Sequence, residues 1–316
     1  MSTPVIVSIG EILVEFVSHR IGCGLAQISD YSGPYPSGAP AIFVDQAARM
    51  GARTQMIGGV GDDAFGQSVL TRLSADGVGT RGVTVNPDRA TGVAFVSYYA
   101  DGNRDFIFHL TNTASDHFSV PEDLTDSADT FLHVSAASLG NAAMRAMIMA
   151  TVRRVASAGG KISCDPNARP ELMRDDAARD ALFETMECST CLLPSTSDLE
   201  FLFPDLSEDA AIDQLLAAKA EVIAIKRGAQ GATVVGNGER HDFSGHSVDE
   251  VDPTGAGDCF GGTFVSLLSQ GASLRMAGEM ANAAGAIAVT RRGPMEGNSG
   301  PDEIATFLEH NSGGAA

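Results

Sequence analysis

Tryptophan is absent, and aromatic residues make up only 6% of the 316-residue chain. That leaves little material for a flat wall to hold a planar base. Positive charge is also scarce. There are 21 Lys and Arg against 40 Asp and Glu, a net charge of −19, and lysine occurs only at Lys161, Lys219 and Lys226. Such a chain repels nucleic acid and anionic membranes, so neither is an expected partner. The five cysteines are an odd number and form no disulfide framework, which points to a reducing compartment. No apolar run approaches the roughly 20 residues that cross a bilayer, and residues 1–10 read as a strand rather than a signal peptide. The expectation is a soluble cytoplasmic protein. The seven histidines show no His-Glu-x-x-His spacing. Gly159-Gly160-Lys161 is followed by Ile162, not by the Ser or Thr of a phosphate-binding P-loop. No metal-ligating residue is assigned.

Glycine is abundant instead, with 35 residues, as a fold with many tight strand–helix turns requires. β-rich runs at 5–9, 54–57, 83–85, 130–135, 161–164, 191–193 and 222–226 alternate with helical spacing at 41–50, 64–75, 142–158, 177–187 and 209–218. This rhythm predicts an α/β protein with a mainly parallel sheet and helices on both faces. The stretch 92–110 departs from it. Val93, Phe95, Ser97 and Tyr99 alternate with Ala94, Val96 and Tyr98, then Asp101-Gly102 gives a turn signal and a second β-rich run follows. These features predict a hairpin that projects from the main sheet.

Asp252-Pro253-Thr254-Gly255-Ala256-Gly257-Asp258 is the most informative string. Phe260, Phe264, Leu267 and Leu268 follow at i, i+4, i+7 and i+8, so a helix with one apolar face begins near Gly255 to Gly257. Its first amides lack internal partners and carry the positive end of the dipole. Small residues let an anion approach them. Asp258 adds a carboxylate one step inside. A phosphoryl group in transit accounts for both: the amides of Gly255, Ala256 and Gly257 hold it, and Asp258 takes a proton from the attacking hydroxyl. A plain loop with a first-turn acid would account for Gly-x-Gly alone, but less well for the whole string. Two decoys are weaker. Gly59-x-Gly61-x-x-Ala64 with Asp88 downstream fits a dinucleotide fingerprint loosely, and Cys188-x-x-Cys191 lacks both a second pair and a helix N-terminus.

The string resembles the C-terminal signature of the ribokinase-like (PfkB-type) carbohydrate kinases. Other segments match that family in order over nearly the whole chain: Gly10-Glu11-Ile12-Leu13, Ser37-Gly38-Ala39-Pro40-Ala41, Gly59 to Gly66, Asp165-Pro166-Asn167-Ala168-Arg169, Lys226-Arg227-Gly228-Ala229-Gln230-Gly231 and Ala281-Asn282-Ala283-Ala284-Gly285. The resemblance implies a three-layer α/β/α fold with a mostly parallel sheet. It implies a core of residues 1–14, 37–88 and 111–316, and a β lid of 15–36 and 89–110. It also implies ATP and Mg²⁺ as cofactors and a homodimer formed through the lid.

On the sugar side the resemblance places Glu15, Ser37, Gly38, Ala39 and Arg169, with Tyr98, Arg104 and Phe106 from the lid. Glu15 stands near the position of the family's acid and is one carbon longer. Ser37 replaces the first glycine of the sugar motif, and Ile42 replaces an asparagine. On the nucleotide side it places Lys226, Gly228, Gly231, Thr254 and Asn282. Ser195-Thr196-Ser197-Asp198 occupies the place of an Asn-x-x-Glu motif that organises Mg²⁺ through water. The implied function is ATP-dependent phosphorylation of a primary hydroxyl of a small sugar, a ketose such as fructose or tagatose, or 2-keto-3-deoxygluconate. A nucleoside kinase of the same fold and a sugar-sensing protein without turnover are the alternatives.

Overall fold

The computed structural model describes residues 4–100, 103–168 and 175–312. The first half of the chain forms β1 (Val5–Ile9), β2 (Leu13–Ser18), β3 (Tyr31–Ser37), α1 (Ala39–Arg49), β4 (Arg53–Gly61), α2 (Ala64–Ala75), β5 (Gly79–Asn86), β6 (Gly92–Tyr98), β7 (Arg104–His109), β8 (Thr130–Ser135) and α3 (Ala142–Ser157). The second half forms β9 (Lys161–Asp165), α4 (Asp176–Cys188), β10 (Cys191–Leu192), α5 (Thr196–Leu202), α6 (Glu208–Ala218), β11 (Val222–Lys226), β12 (Gly231–Gly236), β13 (Glu239–Ser244), α7 (Ala256–Ser269), α8 (Leu274–Ala288) and α9 (Pro301–Ser312).

Nine strands make one sheet in the order β13-β12-β11-β10-β9-β8-β1-β4-β5. Neighbours from β11 to β5 run parallel, and the β11–β12 and β12–β13 pairs are antiparallel. Its parallel strands bury both faces. Ile6 of β1 joins a core with Phe43 of α1, Phe264 of α7 and Ala281 of α8, while Val7 and Ile9 join one with Ile148 of α3, Leu182 of α4 and Ile212 of α6. Continuous apolar runs, rather than alternating ones, are what such two-sided burial asks for.

A second sheet of four strands has the order β3-β2-β6-β7. The predicted hairpin is there, with Val96 opposite Phe106 in β6 and β7. Its Asp101-Gly102 tip lies outside the described residues. Periodicity did not reveal β3, because Gly33, Pro34 and Pro36 give it the composition of a loop. It is an edge strand, where a missing backbone N–H is tolerated. The β12–β13 hairpin and the helices α5, α8 and α9 were likewise not predicted.

Helix α7 lies close to α1. A Cβ on Gly262 would sit 2.4 Å from the Phe43 carbonyl oxygen, so only glycine permits this approach. Behind the contact lies a buried polar knot. Gln46 of α1 donates to Thr263 at 2.9 Å and to the Ser299 carbonyl at 2.8 Å. Asn298 donates to Asp45 at 2.6 Å and accepts from the Cys259 thiol at 2.8 Å. Arg49 and Arg72 approach Asp45 at 3.4 and 3.9 Å. The knot fixes the segment between α8 and α9 against the start of α7.

Burial, together with the nearby Asp76, pushes the Asp45 carboxyl up to about 7, against the pull of Arg72 and Asn298. A folded value above the ordinary 3.8 contributes stability that is complete below that pH and lost as pH rises through about 7. From pH 5 to pH 8 the unaltered protein should therefore lose on the order of 2 kcal/mol more unfolding free energy than Asp45→Asn, read from urea unfolding at both pH values. Equal pH dependence in the two proteins would refute the role given to Asp45.

Candidate active site

A cavity of about 650 Å³ opens at the carboxyl ends of the parallel strands, the usual ligand position in open α/β sheets. The start of α7 forms its floor. Gly255 caps the helix in the left-handed region with φ 81°. A Cβ there would meet the Pro294 carbonyl oxygen at 2.4 Å and Ile42 Cγ2 at 3.2 Å, so the loop is pressed onto what lies beneath it. Gly255, Gly257 and Asp258 line the cavity. The Ala256 side chain does not, and its amide nitrogen lies 3.5 Å from the Pro253 carbonyl.

Lys226 ends β11 and forms an ion pair with Asp165 at the end of β9. Both side chains are largely buried, at 14% and 3% exposure. Burial alone would lower the lysine pKa. The charges of Asp165, Asp198 and Asp258 outweigh it, so the pKa is raised and the ammonium stays charged. Its Nζ lies 3.4 Å from where a Gly257 Cβ would be, so glycine leaves the space between cation and helix start open. Behind it, His133 stacks on Phe43 with ring centroids 3.4 Å apart. Burial, then the Lys226 charge, hold the imidazole well below its ordinary value, so it is neutral.

The other end of the cavity is bounded by the small sheet. Register places Glu15 opposite Ala94, and Ala94 and Tyr98 opposite Phe108 and Arg104, on one face. Glu15, Arg104, Phe106 and Phe108 line the cavity, as do Ser37, Gly38 and Ala39. Glu15 accepts from Ser37 Oγ at 3.4 Å. Phe106 and Phe108 stack at 5.2 Å, and the Arg104 guanidinium lies 5.4 Å from the Phe106 centroid. Gly38 adopts φ 111°, and a Cβ there would meet the Glu11 carbonyl oxygen at 2.4 Å.

Thus the structure brings together Asp258, Gly255, Gly257, Thr254, Lys226 and Gly228 at one end and Glu15, Ser37, Gly38, Ala39, Arg104 and Phe106 at the other. Three expected residues lie elsewhere. Tyr98 turns its hydroxyl onto Asp252 and Thr254 rather than into the cavity. Asn282 faces the sheet from α8, where its amide donates to the Ser244 carbonyl at 2.8 Å. Gly231 serves a tight turn into β12, where a Cβ would meet the Phe243 carbonyl oxygen at 2.0 Å. Arg169 lies outside the described residues.

Sequence reasoning overlooked Glu11 and Ser138, which share a short hydrogen bond at the cavity wall. It also gave no site role to Asp165, Asn141 or Phe108, all of which line the cavity. Glu11 and Asp165 stood inside quoted motifs, and their place directly after β1 and at the end of β9 was the available signal. Ser195 and Asp198 form a capping box for α5. Asp198 also accepts from the Ala168 amide at 2.7 Å, so this carboxylate is already tied to the backbone. Among the described residues, no three His, Cys, Asp or Glu side chains cluster to hold a metal ion.

Residues 6–300 match the family described as pfkB family carbohydrate kinase. A fructokinase of Vibrio alginolyticus is 30% identical over 280 residues, spanning 86% of this chain and 91% of its own. Fructokinase-1 of Oryza sativa subsp. japonica is 30% identical over 316 residues, 96% of this chain and 97% of its own. An E. coli protein provisionally named ribokinase II, solved in apo form, superposes with a TM-score of 0.92 at 42% identity over 98% of this chain and all of its own. The same protein was also solved with ATP and Mg²⁺, with a TM-score of 0.91. A signature loop opening onto a cavity and a family match over nearly the full length agree: the chain belongs to the pfkB family of carbohydrate kinases.

Proposed function

We propose that the protein transfers a phosphoryl group from ATP to a primary hydroxyl of a small ketose, fructose being the first candidate. The observation that carries this reading is the bare helix start of Gly255 to Gly257, open to a 650 Å³ cavity beside Asp258 and Lys226. The named fructokinases among its relatives support the sugar class. When bound, ATP and Mg²⁺ supply the phosphoryl group and neutralise part of its charge. The residues present fit such a ligand: a helix start, with Gly255 and Gly257 lining the cavity, and a buried ammonium beside it both favour an anion.

In this reading the amides of Gly255, Ala256 and Gly257 hold the equatorial oxygens of the transferred group. Lys226 offsets charge at its edge, and Asp258 accepts the hydroxyl proton. A loose transition state asks little of a base, so a first-turn aspartate serves. Glu15 and Glu11 orient sugar hydroxyls. Serine hydroxyls already donate to both, as acceptors require. The small sheet acts as a lid, with residues 15–36 and 89–110 closing over a core of 1–14, 37–88 and 111–316. Exposed apolar residues on edge strand β7, Ile107 at 43% and Phe108 at 42%, support a homodimer that joins two lids.

Two measurements test this. A coupled ADP-release assay over ketoses, aldoses, keto-sugar acids and nucleosides should show turnover with a ketose, and Asp258→Asn should lower kcat by about 10²- to 10⁴-fold with sugar affinity nearly unchanged. Near-normal turnover of that variant would remove Asp258 from its role. Sugar binding without any turnover would favour a sensor. Sedimentation should give twice the 32.7 kDa chain mass, and Ile107→Glu should give monomers. A monomeric unaltered protein at micromolar concentration would rule out the dimer.

A further inference from the structure

Tyr98 is the last residue of β6 and faces the cavity side of the small sheet, opposite Arg104. Its hydroxyl goes instead to the loop that leads into α7. It forms a short hydrogen bond to Asp252 Oδ1 and lies 2.7 Å from Thr254 Oγ1. Asp252 is 1% exposed. The same Oδ1 accepts from the Thr254 amide at 3.0 Å, and Oδ2 accepts from the Gly293 amide at 2.9 Å. One buried carboxylate therefore joins three segments: the small sheet, the anion loop and the turn whose Pro294 carbonyl lies beneath Gly255.

Proton bookkeeping makes the contact directional. A phenol has a single proton. With that proton on Asp252, the Thr254 hydroxyl must donate to the phenol oxygen. Burial, then the negative charge of Asp252, raise the Tyr98 pKa, so the phenol remains a donor. A single hydroxyl thus sets the Thr254 side chain and caps the carboxylate that holds the Thr254 amide. The next amides in the chain are those of Gly255, Ala256 and Gly257. Amides stabilise developing charge only when they are already aimed, because reorganising them during reaction costs what the interaction would supply.

We propose that Tyr98 is a positioning residue whose hydroxyl couples the seating of the small sheet to the orientation of the anion loop. With the sheet seated, the loop is fixed from above by Tyr98 and from below by Pro294. Without that hydroxyl the loop keeps only its lower support. The kinetic consequence rests on the phosphoryl-transfer reading above; the structural one does not.

Tyr98→Phe keeps the ring and removes the hydroxyl, so hydrogen exchange of the full-length protein tests the coupling directly. Amides at Thr254 and Gly293 should exchange about tenfold faster, with those of β1 and β8 unchanged. Under turnover with the best sugar, kcat should fall about tenfold while the sugar KM stays within about twofold. Tyr98→Phe should cost less in an Asp252→Ala background than in the unaltered protein, since the acceptor of its hydrogen bond is then already gone. Unchanged exchange at both amides would overturn the proposal. So would faster exchange spread equally through β1 and β8, or a rise in KM with kcat intact, which would make Tyr98 a sugar contact. Absence of phosphorylation by the unaltered protein would overturn the kinase reading, and the exchange result alone would then decide the coupling.

Discussion

Gly255 turns left-handed directly above the Pro294 carbonyl, in a space that no side chain could share. That single packing constraint orders much of the molecule. The segment carrying Pro294 must be immobile, and the buried knot of Asp45, Gln46, Asn298 and Ser299 makes it so. The helix that follows Gly255 must point its bare amides at the ends of the strands, and the close approach of Gly262 to α1 sets its position. Helix α1 in turn rests on the sheet through Phe43 and the neutral His133. The lower support of the loop thus results from ordinary packing several layers deep.

Charge is the second constraint, because a chain with a net charge of −19 should repel a polyphosphate. Distance removes part of the conflict. At physiological ionic strength, exposed charges more than about 8 Å away are largely screened, whereas groups lining a cavity are screened much less. Five carboxylates, those of Glu11, Glu15, Asp165, Asp198 and Asp258, line the cavity against the cations of Arg104 and Lys226, so attraction for an anion falls to the helix start and to Lys226, one of only three lysines in the chain. The Asp165 ion pair fixes where that ammonium sits. A free surface lysine would be strongly hydrated and mobile. This one is held beside the helix start before any ligand arrives.

The legible and illegible parts of the sequence divide on physical lines. The parallel sheet was readable because two-sided burial writes unbroken apolar runs, and the anion loop because small residues before an amphipathic helix have few other uses. Strand β3 was hidden by its glycine and prolines, whereas the helical spacing of Leu274, Ala277, Ala281, Ala284 and Ala288 in α8 was legible and went unread. Residues with cavity positions were found when a motif fixed their backbone, as with Gly38 and Gly255. They were misplaced when only side-chain direction decided the matter. Asn282 could have faced either the cavity or the sheet, and helix rotation, which sequence spacing does not fix to a single residue, turned it to Ser244. Tyr98 lies on the cavity face as alternation required, yet its reach carries the hydroxyl past the cavity to Asp252.

Ile42 shows how one position can serve two constraints. The family resemblance would place an asparagine here, and by chemistry alone isoleucine looks like a lost hydrogen bond. In the structure it is 2% exposed, with Cγ2 beneath the left-handed turn at Gly255. Ile42 also lines the cavity, so it presents apolar atoms both to the turn and to the cavity interior. Its branched Cβ restricts rotation and stiffens that support. The polar groups at this end of the cavity are Glu11, Glu15 and their serine partners. One apolar side chain thus faces the cavity and stiffens the support of the Gly255 turn, which leaves hydrogen bonding at that wall to its polar neighbours.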